Sequence, residues 1–411
     1  MKILVISHMY PSAQNPVYGI FVHKQVKALM EQGNEIKVIS PVPYAPWPLN
    51  VLKKKWRAYT AVPLRDRIEG VEAFYPRYPE FPRSFLLEHS GYFMFLGMKT
   101  LVKHIRREYK FDLIHAHVAL PDGSAALFFK EKYKVPTVVT VHGQDFQSTI
   151  NKRKSCRQKV FQVMQNTDRI ITVSSKLRNL VKDQAFAGKI AIINNGIDLE
   201  DCQVAGGSEA EAKAKAKAEA KANNAPAGKI KIVSVSNLKK TKGINLNLRA
   251  LVRLLKDYPL ITYIIVGEGE ERRNLESLAD QLKLRDHVVF RGKLSHPEAM
   301  REIASADIFC LPSWEEGFGA VYIEAMAQGV PTIGVKGEGI EDVIIHGRNG
   351  LLVRPQNVDD IAEALALLLS NPSLAATLAE EGRNTVIEGF TWEHNASRTT
   401  DVYKELLTKI N

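Results

Sequence analysis

Runs of consecutive apolar residues alternate along the whole chain with stretches of helical period. The first half carries the runs "KILVIS", "EIKVISPV", "DLIHAHV", "TVVTVHG", "RIITVSS" and "IAIINN", with segments such as "GIFVHKQVKALMEQG" between them. Continuous rather than alternating hydrophobicity marks strands covered on both faces, as in a parallel sheet. The βαβα order predicts a doubly wound α/β domain. The pattern restarts after residue 228 with "KIKIVSVS" and continues through "TYIIVGEG", "HVVFRG", "DIFCLPS", "PTIGV" and "GLLV". Two Rossmann-like domains in tandem are therefore expected, facing a central cleft. Ligands in such sheets sit outside the carboxyl ends of the strands.

A length of 411 residues agrees with two cores rather than one. The expected parts are a first domain over 1–198, a linker over 199–228, a second domain over 229–390 and a terminal helix over 391–411 that returns to the first domain. In that helix Trp392, Val402, Tyr403, Leu406 and Leu407 can form one stripe. The linker contains "GGSEAEAKAKAKAEAKANNAPAG", whose composition favours helix and whose Glu209–Lys213 and Glu211–Lys215 pairs have the better i,i+4 orientation. It has no apolar face to bury, so a solvated helix or spacer is expected. It looks like a designed or replaced segment, and no chemistry is assigned to it.

Composition narrows the setting. Hydrophobic content of 45% and charged content of 25% are those of a globular protein. No apolar run approaches the roughly 20 residues of a membrane span. The first residues read as a strand rather than a signal peptide. Cys156, Cys202 and Cys310 are isolated, so no disulfide or zinc spacing is visible and a cytoplasmic setting is expected. Charge is uneven: residues 1–198 hold 30 Lys and Arg against 15 Asp and Glu, and the remainder hold 26 against 30. A basic first half predicts an anionic partner. Within it, Lys99, Lys103, Arg106, Arg107 and Lys110 fall on one stripe of a long helical pattern, and "PLNVLKKKWRAY" adds a basic, aromatic patch. Both predict contact with an anionic membrane surface. Nothing resembles a nucleic-acid-binding motif, and no nucleic-acid partner is expected.

The most informative stretch is "EEGFGAVYIEAMAQGVP". The strand "DIFCLPS" precedes it, "AVYIEAMAQG" is helical, and Glu316-Gly317-Phe318-Gly319 forms the turn between them. Glycines at a helix start let backbone N–H groups approach a phosphate. Glu324 would project from the second turn of the helix, suited to the vicinal hydroxyls of a ribose. Glu316 would face a sugar.

"EGFGAVYIE" resembles the Glu-x7-Glu element of retaining glycosyltransferases of family 4, which have the two-domain GT-B architecture. "GVPTIGV", "GEGIEDVIIHGRNGLLV", "NNGID" and the terminal Trp-bearing helix resemble further family elements in order and spacing, outside 203–228. The chain is similar to bacterial cell-wall and exopolysaccharide glycosyltransferases of the teichuronic-acid type. The resemblance implies a nucleotide-sugar donor, a UDP-sugar being favoured, held mainly by the second domain. Glu324 then holds the ribose, the Gly317–Gly319 backbone faces the diphosphate, Glu316 contacts the sugar, and the base stacks near "GKLSHPEAM". "VSNLKKTKGIN" resembles the phosphate loop, with Lys242 matching its Lys and Asn237 standing where Arg is common. A neutral amide cannot replace the charged, bidentate contact of a guanidinium, so Lys239 or Lys240 would have to compensate.

"DLIHAHVALPDG" places His115 and His117 on one face of a strand end. The resemblance puts His117 near the transferred sugar. In "TVHGQDF", His142 and Asp145 are placed to line the acceptor side. Gly19, at the start of the helix after the first strand, would let the backbone near the donor phosphate. No Asp-x-Asp lies at a strand end, so neither a metal nor any cofactor beyond the nucleotide sugar is expected. The implied reaction is retaining transfer by front-face attack to a glycan or lipid-linked acceptor, in the cytoplasm or at the inner membrane face. Its rivals are a sugar-nucleotide epimerase and a non-catalytic sugar-nucleotide or lipid-binding protein.

Overall fold

The computed structural model describes residues 1–52, 54–81, 85–200 and 229–408. The Ala/Lys/Glu-rich spacer lies outside the described residues, and so does Lys53 of the basic, aromatic patch. The chain divides into two compact units, Met1–Asn195 with Trp392–Asn411, and Gly196–Thr391.

In the first unit the described strands are β1 (Lys2–Ile6), β2 (Glu35–Ile39), β3 (Val42–Pro43), β4 (Arg65–Ile68), β5 (Val71–Phe74), β6 (Arg77–Tyr78), β7 (Leu113–His117), β8 (Thr137–Val141), β9 (Arg169–Thr172) and β10 (Ile190–Ile192). Eight form a sheet in the order β10-β9-β8-β7-β1-β2-β5-β4, while β3 and β6 pair apart. All six apolar runs of this half are strands, and all pair in parallel. Their continuous hydrophobicity has the expected cause: Ile3, Leu4, Val5 and Ile6 are all fully buried, so both faces of β1 are covered.

The antiparallel hairpin β4–β5 had no signal in the apolar pattern. "RDRI" is half charged, as suits an edge strand that must not recruit another chain. Its turn is Glu69-Gly70, both with positive φ, the backbone that tight hairpins require.

The second unit holds β11 (Ile230–Val235), β12 (Ile261–Val266), β13 (Val288–Gly292), β14 (Ile308–Cys310), β15 (Thr332–Val335) and β16 (Leu351–Val353). They form a parallel sheet in the order β13-β12-β11-β14-β15-β16. In chain order this is 3-2-1-4-5-6, the doubly wound arrangement with its switch point between β11 and β14. In the first unit the corresponding point lies between β1 and β7. Helix starts are set by side chains: Ser295 and Glu298 form a capping box, and Asn357 accepts from the N–H groups of Asp359 and Asp360.

The terminal helix Trp392–Thr408 belongs to the first unit. Trp392, Val402, Tyr403 and Leu406 join the core that contains Ile3 and Val5, and Leu407 packs against it. Against the helix Ile20–Glu31 the contact is partly polar, with Gln25 Nε2 donating to Asn395 Oδ1 at 2.7 Å. The helix also reaches the sheet through the fully buried Tyr403, whose hydroxyl is hydrogen-bonded to His115 Nδ1 at 2.6 Å.

The helix expected to carry the basic stripe spans Ser90–Glu108. Lys110 is therefore not on it: Tyr109 turns into extended backbone and ends the helix. Arg106 is also withdrawn from the stripe, because it donates to the Phe111 carbonyl and lies 4.4 Å over the Phe111 ring. Lys99, Lys103 and Arg107 are exposed. Met94, Met98, Val102 and Ile105 are buried in the domain, so this apolar face is unavailable for a bilayer. No single described helix is long and apolar enough to cross a membrane.

Tyr403→Phe should destabilise the first unit by about 1–3 kcal/mol, because it leaves His115 Nδ1 buried without a partner. Urea unfolding followed on that unit's own transition checks this, and an unchanged midpoint would contradict it.

Candidate active site

In the second unit the loops after β11 and β14 leave the switch point in opposite directions and open a cavity of about 460 Å³. Asn237 and Lys242 line it from the first loop, and Glu316, Gly319 and Glu324 from the second loop and its helix. The loop after β11 closes in a tight turn, Lys240–Lys242, before the helix Ile244–Leu254. This turn brings the Lys242 ammonium onto the Glu316 carboxylate. Ser313 donates to the same carboxylate at 3.3 Å, and the Glu316 N–H donates to Glu338 at 2.7 Å. Glu324, on the helix Ala320–Ala327, is held by His296 Nε2 at 3.1 Å.

The glycine turn differs from expectation. Gly319 caps the helix with φ +91°, and a Cβ there would lie 2.6 Å from the Tyr322 ring, so the position tolerates only glycine. Gly319, Ala320 and Val321 line the cavity, but Gly317 and Phe318 do not. Phe318 is buried and the Gly317 carbonyl packs on Gly339, so this part of the turn is committed to the domain interior. The cation expected to offset Asn237 also differs. Neither Lys239 nor Lys240 lines the cavity, whereas Lys293, from the loop after β13, does.

The first unit holds the histidines. His115 and His117 stack at 4.5 Å, as strand alternation requires, and His117 Nδ1 meets His142 Nε2 at 3.0 Å. His117, expected near a transferred sugar, has no exposed surface; the partly exposed ring of the column is His142. His117 Nε2 and His142 Nδ1 are buried without a partner. Burial holds all three rings below the ordinary histidine value, with His115 and His142 at about 3. Asp145 is buried, accepts from the Ala119 N–H at 2.9 Å, and is pushed up to about 7 by burial. It lines a larger cavity of about 980 Å³ within this unit.

Gly19 lines neither cavity. Its φ is +69°, and a Cβ would stand 2.3 Å from the Met9 carbonyl oxygen. Its requirement for glycine is thus met by packing of the loop after β1 against the helix start.

Sequence reasoning missed His8 and Asp122. His8 ended the first apolar run and Asp122 lay within "VALPDG", so both follow strands that turned out to be neighbours. Asp122, fully buried, accepts from the His8 backbone N–H at 3.1 Å and lies 2.9 Å from its Nδ1. Among the described residues no three His, Cys, Asp or Glu side chains converge as a metal site.

Two family models match the chain, Glycosyltransferase Family 4 over residues 19–201 and Glycosyl transferases group 1 over residues 215–385. TuaC of Bacillus subtilis (strain 168), a glycosyltransferase named for teichuronic acid biosynthesis, is 29% identical over 89% of this chain and 88% of its own length. Among solved structures, sucrose-phosphate synthase from Thermosynechococcus elongatus superposes over the whole of both chains with a TM-score of 0.75 at 22% identity. HepE of Anabaena, solved in complex with UDP, covers 98% of this chain and 100% of its own with a TM-score of 0.69 at 17% identity.

The buried histidines give the first unit an acid-sensitive core. Each is neutral when folded and takes up a proton on unfolding below about pH 6.5, so the histidines' contribution to stability falls as pH drops from there towards 3, where His115 titrates in the folded state. His115 and His117 should each contribute about 1.4 kcal/mol per pH unit in that window. Asp145 and His8, both shifted upward, act in the opposite sense in the same unit, so the test compares urea midpoints of the first unit in wild type and His115→Gln between pH 7.5 and 5.5; an identical pH dependence in the two would refute the histidine contribution.

Proposed function

Because the chain belongs to the family 4 glycosyltransferases, we propose that it moves a sugar, with retention, from a nucleoside-diphosphate donor to a glycan or lipid-linked acceptor of the bacterial envelope. The observation that carries this reading is the Lys242–Glu316 pair in the switch-point cavity. A diphosphate is the stronger partner for Lys242, since it brings more than one charged oxygen. Donor binding then releases Glu316 to accept hydrogen bonds from the sugar. Glu324, at the far side of the same helix start, takes the ribose hydroxyls in exchange for His296.

Leaving-group charge falls to Lys242, with Lys293 as the second cation that Asn237 cannot be. The backbone at Gly319 and Ala320 adds the helix N-terminus. The reading needs no metal and no cofactor besides the donor, and a UDP-sugar is the first candidate. The 29% identity to a protein named for teichuronic acid biosynthesis supports an envelope acceptor. The first domain receives that acceptor, with His142 and Asp145 on its side, in the cytoplasm at the inner membrane face. Exposed Lys99, Lys103, Arg107 and Lys110 would supply attraction to anionic lipid by charge alone.

A thermal-shift screen against UDP-, GDP- and ADP-sugars tests the donor, because binding to the folded state raises its stability by mass action. A shift with one nucleotide class is expected, and no shift with any of them would sink the reading. Glu316→Gln should lower turnover at least tenfold with nucleotide affinity nearly unchanged; full turnover would remove Glu316 from the site. Lys242→Ala should weaken donor binding by about 10-fold to 100-fold, the value of a charged hydrogen bond. Equal affinity by calorimetry would contradict that role.

A further inference from the structure

The element "GEGIEDVIIHGRNGLLV" opens with acids that have no part in the proposed reaction. Glu338 is the first of them. It lies in the loop after β15, and β15 pairs with β14, whose following loop bears Glu316.

Glu316 has to be aimed. With no donor present its carboxylate is held by Lys242. In the proposed reaction Lys242 turns to the diphosphate, and that restraint is lost. Glu316 stands in a loop rather than in a helix or strand, and Glu315 before it has φ +62°. A non-glycine residue in the left-handed region persists only where its surroundings fix it. Other contacts must therefore hold this loop when Lys242 leaves.

Three such contacts are present. The Trp314 N–H donates to the Thr241 carbonyl at 2.8 Å and anchors the chain before Glu315. The fully buried Ser313 hydroxyl donates to the Glu316 side chain at 3.3 Å, with the Tyr322 hydroxyl 2.7 Å behind it. After Glu315 the anchor is Glu338, whose Oε2 accepts from the Glu316 N–H at 2.7 Å. Of the three, the last holds the backbone of Glu316 itself.

Glu338 is fixed in its own loop. Only 8% of it is exposed, and it does not line the cavity of about 460 Å³, so its effect on a ligand must pass through Glu316. Its N–H donates to the Val335 carbonyl at 3.4 Å, and its carbonyl accepts from the Glu341 N–H at 3.0 Å where the turn Gly339–Asp342 begins. The Glu341 side chain accepts from the Gly337 N–H at 2.7 Å and closes the loop on itself. Gly339 lies against the Gly317 carbonyl and Phe318 with no room for a Cβ between them. The two loops thus pack backbone to backbone, and the Glu338 side chain bonds across the seam. A side chain one methylene shorter would fall short of the Glu316 N–H. One of the same length with an amide oxygen would reach it as well.

We propose that Glu338 is the positioning residue of the donor site: by accepting from the Glu316 N–H, it keeps the Glu316 carboxylate aimed into the cavity after Lys242 has moved to the diphosphate. The proposal rests on the transfer reading for the sugar that Glu316 meets, but not for the contact itself. What counts is the reach of an acceptor oxygen and not the charge it carries.

The test compares the full chain with Glu338→Gln, which keeps the reach and removes the charge, and Glu338→Asp, which does the reverse. Deuterium exchange read by mass spectrometry follows the amides of residues 314–318. Exchange there should quicken about tenfold in Glu338→Asp, the value of one hydrogen bond, and stay within twofold of wild type in Glu338→Gln. Calorimetry then compares UDP, GDP and ADP with UDP-glucose, GDP-mannose and ADP-glucose. For the class that binds, affinity for the diphosphate should stay within twofold in both variants, because Lys242 is untouched. The sugar nucleotide should bind at least fivefold more weakly to Glu338→Asp and not to Glu338→Gln. A merely structural role would weaken both ligands alike. Wild-type exchange in Glu338→Asp, a loss in Glu338→Gln as large as in Glu338→Asp, or equal weakening of diphosphate and sugar nucleotide overturns the proposal. Should the wild-type chain bind no sugar nucleotide, the transfer reading fails and the exchange comparison alone decides the contact between Glu338 and Glu316.

Discussion

The position of the candidate site depends on one topological constraint. In a doubly wound parallel sheet, two adjacent central strands send their following loops to opposite sides and leave a crevice at their carboxyl ends. Here the crevices lie between β11 and β14 and between β1 and β7. The Trp314 N–H bridges the first of them to the Thr241 carbonyl at 2.8 Å, and side chains from the flanking loops meet across both. Lys242 and Glu316 meet across one, and His8 and Asp122 across the other.

The two pairs differ in how far they reach the solvent. Lys242 and Glu316 expose 22% and 19% of their side chains, so most of each is covered while both still line the cavity. His8 and Asp122 differ, because the carboxylate is fully buried and only the ring faces the cavity.

The histidine column shows the opposite use of polar groups. His115 is bonded on both sides, to Thr140 and to Tyr403 of the terminal helix, and thereby ties the last element of the chain to the central sheet. His117 carries the line to His142, whose partly exposed ring packs on Phe21 at 4.6 Å. Burial, aided by the neighbouring histidines, keeps these rings neutral. Their contribution is orientation and a dependence on pH.

The sequence by itself determined the strands that matter most. All twelve apolar runs became strands that pair in parallel, because burial on both faces demands uninterrupted hydrophobicity. It also placed Lys242 and Glu316 in their loops and Glu324 on the helix that follows, because a strand end, a glycine and a helix start are local signals. The charged hairpin β4–β5 was illegible for the converse reason, since an edge strand need not be apolar. Only the tertiary structure decided which loops are neighbours. Strand order made partners of His8 and Asp122, 114 residues apart. It turned Gly317 and Phe318 inward, brought Lys293 rather than Lys239 or Lys240 to the cavity, and drew Arg106 off the basic stripe. Side-chain type and spacing are written along the chain, but the pairing of charges across a crevice depends on which strands lie side by side, and no local pattern encodes that.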